Sequence, residues 1–235
     1  MNKSSKKITI LTGSGISKES GLSTFRDHDG LWDGFPVHEV ASIDGWQNNP
    51  QKVLDFYNSR RLIAFKAQPN AAHLSIKELE EYYEVTIITQ NVDDLHKKAG
   101  SKKIIQLHGS LFEAIPENHP SSIIYIGNTS IHLGDTDTNG FQLRPNIVWF
   151  GEVVPKMEEA MFEVMSADIF IIIGTSLLVY PAASLIHYVH QDAPIFIIDP
   201  VIPPISESNL SIKFIQKSAT IGVPQLVKQL INDYE

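Results

Sequence analysis

Short runs of apolar, mostly β-branched residues recur along the chain: Ile8–Leu11, Val85–Ile88, Ile104–Leu107, Ile147–Phe150, Ile169–Ile173, Ile195–Ile198 and Ile212–Ile215. They are continuous rather than alternating, which suits strands buried on both faces of a parallel sheet. Helical spacing fills several of the gaps. It predicts helices over Asn70–Tyr83, Lys156–Ser166, Tyr180–His190 and Pro224–Tyr234. Strand followed by helix, repeated, predicts a doubly wound α/β fold with a parallel Rossmann-like sheet.

Two stretches interrupt this rhythm. Residues 31–68 form a mostly helical insert carrying Trp32 and Trp46. Residues 113–143 are polar and turn-rich, with Gly-Asp-Thr-Asp-Thr-Asn-Gly at 134–140. The expectation is a single catalytic domain over 1–235. Its core would take about 1–30, 70–112 and 144–235, and a small lobe about 31–69 and 113–143. Within the second insert, Ile123–Ile126 and Ile131–Leu133 are expected to pair as a hairpin.

Ligands of such sheets sit at the carboxyl ends of the strands, and there the chain changes character. After the first strand comes Gly13-Ser14-Gly15, a turn whose N–H groups suit phosphate, aided by a following helix, or else a plain structural turn. After the second come Gln90, Asn91, Asp93 and Asp94, of which one is expected as a helix cap. His108 ends a third run, placed either as a general base or as a structural histidine. Gly174-Thr175-Ser176 ends a fourth and offers N–H and hydroxyl groups to ribose or phosphate oxygens.

Charge and composition narrow the chemistry. The 235 residues carry 19 basic and 27 acidic side chains, a net charge of −8. Such a balance disfavours general nucleic-acid binding, which needs clustered cations. No apolar run is long enough for a membrane span. The polar, basic start reads as no signal peptide, so a cytoplasmic protein without membrane or nucleic-acid partners is expected. Nothing in the pattern sets an oligomeric state. There are no cysteines, which removes disulfides, a thiol nucleophile and cysteine-bound zinc.

Taken in order, the polar segments resemble one family, the sirtuins, which are NAD-dependent protein deacylases. Their TGAGIS, ESGIPxFR and GLW motifs match Thr12–Ser17, Glu19–Gly21 with Phe25-Arg26, and Gly30–Trp32. Their TQNID–LH–RAG matches Thr89–Asp93, Leu95-His96 and Ala99-Gly100. HGS is His108–Ser110, RPxIVWFGE is Arg144–Glu152, and GTSxxVxPA is Gly174–Ala182. The five motifs cover nearly the whole chain. The missing third glycine of a dinucleotide fingerprint, where Lys18 stands, is then no defect.

The resemblance implies NAD as cofactor and acyl-lysine proteins or peptides as substrates. It implies that Gly13, Ser14, Gly15, Phe25 and Arg26 form the loop over NAD, with Gln90, Asn91 and Asp93 lining the nicotinamide and ribose pocket. Asn91, Asp93 and His108 are implied as catalytic, with His108 the base. Gly174, Thr175, Ser176 and Asp199 are implied on the rest of NAD. Val148, Phe150 and Gly151 are implied beside the peptide, which would add as a strand. In the family's reaction the acyl oxygen attacks the nicotinamide ribose, nicotinamide leaves, and the acyl group ends on ADP-ribose.

Ala41, Tyr57 and Arg60 match the set of the branch that removes succinyl, malonyl and glutaryl groups. Tyr57 and Arg60 share one helix face. Arg60 can hold a terminal carboxylate in two bonds, Tyr57 can add a donor, and Ala41 leaves room. A solvent-facing Arg and a packed Tyr are the plain reading of the same residues. Deacetylation is expected as a lesser activity.

The chain departs from the family twice. The four zinc cysteines usual between HGS and RPxIVWFGE are missing. His119, His132, Asp135 and Asp137 do not have a diagnostic spacing, so no metal is expected. Asp199 stands where the family usually has Asn, adding negative charge near the adenosine ribose. Two other functions use the same residues: an ADP-ribosyl transferase or NAD hydrolase, and a sensor of NAD or ADP-ribose without turnover. The retained His108 and the acyl set disfavour the first, and intact Asn91, Asp93 and His108 the second.

Overall fold

The computed structural model describes residues 6–24, 31–203, 205 and 210–233. In chain order the strands are β1 (Lys7–Thr12), β2 (Leu31–Trp32), β3 (Phe35–Pro36), β4 (Glu84–Thr89), β5 (Ile104–Gln106), β6 (Gly109–Pro116), β7 (Ile124–Tyr125), β8 (Leu143–Ile147), β9 (Ile169–Ile173), β10 (Ile195–Ile198) and β11 (Ile212–Ile215). The α-helices are α1 (Val37–Val40), α2 (Ile43–Asn48), α3 (Pro50–Lys66), α4 (Ala71–Leu79), α5 (Leu95–Lys98), α6 (Met157–Met165) and α7 (Ala219–Asn232).

Six strands form one parallel sheet in the order β11-β10-β9-β1-β4-β5. Chain order therefore runs outward from β1 in one direction, through β4 and β5, and then outward in the other from β9. The reversal between β1 and β9 is the topological switch point, where a crevice opens at the strands' carboxyl ends. Alternate side chains feed two cores. Ile8, Ile10, Ile87, Ile171 and Ile173 pack against α4 and α7 residues such as Ile76, Leu79, Val223 and Leu226. Leu11, Ile88, Phe170, Ile172 and Ile197 pack on the other face with Ala160 and Val164 of α6 and with Leu185 and Ile186. Burial on both faces is why these strands read as unbroken apolar runs.

A third core belongs to the small lobe. Val40, Trp46, Val53, Leu54, Phe56 and Tyr57 from the helical insert meet Leu111, Phe112, Ala114, Ile131, Ile147 and Trp149. The lobe's sheet is antiparallel, in the order β7-β6-β8.

Several expected elements move. The run Ile147–Phe150 is not a strand of the parallel sheet. Its segment enters as β8, antiparallel to β6, with Gly109 opposite Ile147 and Ala114 opposite Pro145. β8 lies at a sheet edge, where a proline is tolerated. The hairpin of Ile123–Ile126 with Ile131–Leu133 does not form. β7 pairs instead with Glu113 and Ala114 of β6, and Ile131 is buried in the lobe's core. The span Tyr180–His190 forms a 3-10 helix over Ala182–Tyr188. Pro181 restricts Tyr180 and supplies no N–H, so the helix starts late. α7 begins at Ala219 and holds Pro224 inside it rather than at its start. No α-helix follows Gly13-Ser14-Gly15, only two short 3-10 turns, Ser14–Ile16 and Lys18–Ser20.

Without cysteines, the small lobe is fastened by a buried cation. Arg61 is fully buried. Its Nε donates to the Leu111 carbonyl at 2.5 Å, and Nη1 donates to Asn58 Oδ1 at 2.6 Å and the Thr129 carbonyl at 3.2 Å. Asn58 exchanges two bonds with the backbone of Ile131, at 2.8 and 2.9 Å. Helix α3 thereby grips β6 and the loop after β7. Among the described residues, no group of three or more His, Cys, Asp or Glu side chains is placed to hold a metal ion. No described helix is long and apolar enough to cross a membrane.

Candidate functional site

One cavity opens where the carboxyl ends of β1, β4 and β9 meet the small lobe. Its empty space, open solvent at the mouth included, is about 1320 Å³. It has a polar side and an apolar side.

The polar side begins with the two glycine turns. Gly13 N–H donates to the Ile173 carbonyl at 3.0 Å and Gly15 N–H to the Gly174 carbonyl at 2.9 Å. A Cβ on Gly13 would stand 2.7 Å from the Gly174 oxygen, and one on Gly15 2.7 Å from Gly174 Cα. These glycines let the β1 and β9 turns touch. Their N–H groups are spent on that contact rather than left for phosphate. Gly13, Ser14, Gly174, Thr175 and Ser176 line the cavity, while Gly15 does not.

The residues after β4 are held by one another. Ser17 Oγ accepts from Asn91 Nδ2 at 3.1 Å and donates to Asp93 Oδ2 at 2.9 Å. The second Asp93 oxygen accepts from the Leu95 N–H at 3.0 Å. Asp93 is thus the residue that caps, while Asp94 pairs with Lys98 at 3.0 Å. Burial pushes the Asp93 carboxyl up, and the bonds from Leu95 and Ser17 oppose it. Gln90 Nε2 donates to Thr175 Oγ1 at 3.0 Å, tying the β4 end to the β9 end.

His108 Nδ1 lies 3.0 Å from the Gln90 carbonyl. A carbonyl only accepts, so Nδ1 carries the proton and Nε2 keeps its lone pair. Burial lowers the imidazole pKa from 6.5, against a smaller opposing effect of the Gln90 bond. The ring is neutral near pH 7 and suited to remove a proton.

The apolar side belongs to the small lobe, with Leu22, Trp32, Ala64, Val92, Leu111, Ile147 and Trp149 in its wall. Ala41, Tyr57 and Arg60 also line it. Tyr57 is fully buried, and its oxygen accepts from Trp149 Nε1 at 3.1 Å. Burial pushes the phenol well up, so its O–H is kept as a donor. Arg60 is 9% exposed. Its guanidinium carbon sits 4.4 Å over the Trp32 ring, and Nη1 pairs with Asp33 and Ser23. Its Nε–H is buried without a partner among the described residues. A guanidinium beside a buried phenol, lining the same cavity as a small residue, can take a carboxylate or another planar acceptor.

The segment after β8 forms the cavity's rim. Val148 N–H donates to the His108 carbonyl at 3.0 Å and Phe150 N–H to the Ala41 carbonyl at 2.9 Å. Val148, Phe150 and Gly151 all line the cavity. Arg144 holds the turn from behind, pairing with Glu152 at 2.6 Å and lying 4.2 Å over the Trp149 ring.

The structure thus brings most of the expected site residues to one cavity. Gly15 and Asp199 are the exceptions among those described, and Asp199 lies apart from the site. It is buried, accepts from the Val201 N–H at 2.9 Å, and is not in the cavity lining. Phe25 and Arg26 lie outside the described residues. Sequence reasoning missed Ser17, whose hydroxyl bridges Asn91 and Asp93, and Ser23, Trp32 and Asp33 around Arg60. Ser17 and Trp32 stood inside the matched motifs, but a motif does not say which member faces inward.

Fold and site define a doubly wound α/β protein with its ligand crevice at the switch point and a small lobe closing over it. The family model for the Sir2 family matches residues 13–181. An NAD-dependent protein deacylase of Helicobacter pylori is 50% identical over 228 residues, 96% of this chain and 98% of that protein. One of Bacteroides thetaiotaomicron is 47% identical over 231 residues, again 96% and 98%. The solved structure of a Sir2 homologue in complex with NAD superposes with a TM-score of 0.86 at 36% identity, covering 98% of this chain and 91% of that one. The chain belongs to the Sir2 family, the sirtuins, as its motifs led one to expect.

Proposed function

We propose that this protein is an NAD-dependent protein-lysine deacylase that prefers succinyl, malonyl and glutaryl groups and removes acetyl more slowly. The observation that carries the preference is the buried Tyr57–Arg60 pair, which lines the same cavity as Ala41 and His108.

The donor set fits NAD. Ser14, Thr175 and Ser176 offer hydroxyls, Gln90 and Asn91 offer amides, and Asp93 adds a fixed carboxylate. When bound, NAD supplies an electrophilic ribose carbon and ribose hydroxyls that accept the acyl group. Asp93, held by Ser17 and Leu95, would stabilise positive charge developing on that ribose. His108 Nε2 would take the proton of a ribose hydroxyl, with Nδ1–H anchored on Gln90. The apolar wall would hold the lysine's methylenes and keep water away. An incoming peptide strand would lie along Val148–Gly151. The N–H groups of Val148 and Phe150 are already spent, so the pairing would rest on carbonyls and on Gly151. Arg60 Nε–H and the Tyr57 O–H are two donors that would serve a terminal carboxylate.

The test is a mass-spectrometric assay with NAD and matched acetyl-, succinyl- and glutaryl-lysine peptides. Wild type is expected to clear succinyl fastest. His108→Ala is expected to lose at least 100-fold on every peptide. Arg60→Met is expected to shift the preference toward acetyl. Acetyl removal unchanged by Arg60→Met, with no succinyl removal by wild type, would refute the acidic-acyl reading. Nicotinamide release with no deacylation would point to ADP-ribosyl transfer or NAD hydrolysis instead.

A further inference from the structure

We propose that Asp33 is a built-in competitor for the acyl carboxylate, a specificity-determining residue that occupies Arg60 until an acidic acyl group displaces it. This inference rests on the acidic-acyl reading of the Tyr57–Arg60 pair and deepens it.

The local sequence explains why Asp33 is where it is. β2 and β3 form a two-residue hairpin, with Trp32 opposite Phe35. The connecting pair, Asp33-Gly34, has φ of 51° and 80°. Two consecutive left-handed residues are the signature of a type I′ turn, which favours Asp-Gly and Asn-Gly. The turn presents the Asp33 carboxylate to Arg60 Nη1. Ser23 completes a triangle, accepting from Arg60 Nη1 at 3.1 Å and donating to Asp33 Oδ1.

Three observations make this a competitor rather than a fixed brace. Asp33 is the exposed partner, its side chain 32% accessible against 10% for Arg60, so it can swing into water at little cost. Arg60 cannot, because it lies over the Trp32 ring and is walled in by the lobe. The pairing uses only Nη1 and leaves Nε–H buried without a partner among the described residues. The resting floor is therefore neutral in charge and incomplete in hydrogen bonds. A substrate carboxylate would reach Arg60 from the acyl cavity, whose lining does not include Asp33, while Asp33 meets the same guanidinium from an adjoining cleft, so the two anions compete for one cation. A neutral acyl group meets no such competition. Asp33 thus narrows the gap between acidic and neutral acyl groups that Arg60 alone would create.

The test compares wild type, Asp33→Asn, Arg60→Met and the double variant on succinyl- and acetyl-lysine peptides with saturating NAD. Asn suits the same turn position, so the hairpin is retained and only the charge goes. Asp33→Gly, which the left-handed position also accepts, serves as a second variant, and thermal unfolding checks that each is folded. The expected result is a rise on the order of tenfold in the succinyl-to-acetyl ratio of kcat/KM, carried by a lower KM for succinyl. That rise should vanish in the Arg60→Met background. A ratio unchanged or lowered by Asp33→Asn and Asp33→Gly, while Arg60→Met still abolishes succinyl preference, overturns the inference and leaves the acidic-acyl reading standing. A rise that survives Arg60→Met also overturns it. A succinyl preference indifferent to Arg60→Met defeats the reading itself, and the inference with it.

Discussion

At the scale of single residues, what decides behaviour is the partner each group already has. His108 shows this in its tautomer, which the Gln90 carbonyl fixes. Because burial lowers its pKa below 6.5, the reactive neutral ring persists into mildly acidic solution. Activity limited by this base should fall on acidification with a midpoint below pH 6.5. A kcat/KM profile between pH 5 and 8 checks the sign, and a midpoint above 7 would contradict it. Residue types at the site were legible because each chemistry needs a particular group. The use of each group was less so. Gly13 and Gly15 suggest N–H donors for phosphate, yet both N–H groups join the two turns. Asp33 drew no notice, because an Asp-Gly pair first announces a turn and only the folded hairpin brings it to Arg60.

At the scale of elements, two polar contacts set how the pieces pack. Helices α4 and α5 meet through His73 and His96, whose rings stand 4.9 Å apart, edge to face. Both are pushed below 6.5 by burial, His73 to about 4. A histidine that must stay neutral when folded destabilises the fold in acid, because the unfolded chain takes up the proton first. Stability should therefore be full above pH 6.5 and decline below it, by up to about 1.4 kcal/mol per pH unit for each ring. Urea denaturation at pH 7 and pH 5 measures this, and His73→Gln should flatten the difference. The other contact is Arg61. Replacing it with Met removes donors from Leu111, Thr129 and Asn58. Each buried acceptor left without its donor costs about 1–3 kcal/mol. Limited proteolysis should then cut within 116–143 well before the parallel core unfolds. Elements of the parallel sheet were legible because burial on both faces writes an unbroken apolar run. The small lobe was not, since β6, β7 and β8 pair across long loops and local pattern does not name a strand's partner.

At the scale of the whole molecule, the reversal of strand order between β1 and β9 concentrates function. The chain leaves β1 and β9 toward opposite sides, so a crevice opens beside the touching turns, and the small lobe covers its open side. The polar and apolar sides therefore share one cavity while resting on separately stabilised cores. Changes within the lobe's wall should alter acyl preference without unfolding the sheet. Lobe stability should also be independent of divalent metal. Incubation with a chelator is expected to leave the thermal midpoint unchanged, where Arg61→Met lowers it. A midpoint that drops with chelator would show that some ligand set has been overlooked. The order of motifs made this arrangement legible in outline, because each motif ends a strand and strand ends gather on one side.

The guanidinium staple in the small lobe has a chemical consequence as well as a mechanical one. A lobe closed by thiolates can be opened by peroxide, since oxidised sulfur releases its metal. This chain has no cysteine to oxidise and four methionines. Three of them, Met157, Met161 and Met165, lie one turn apart along α6. Oxidative damage should therefore register on that helix, where Met165 is half-exposed, and leave the small lobe intact.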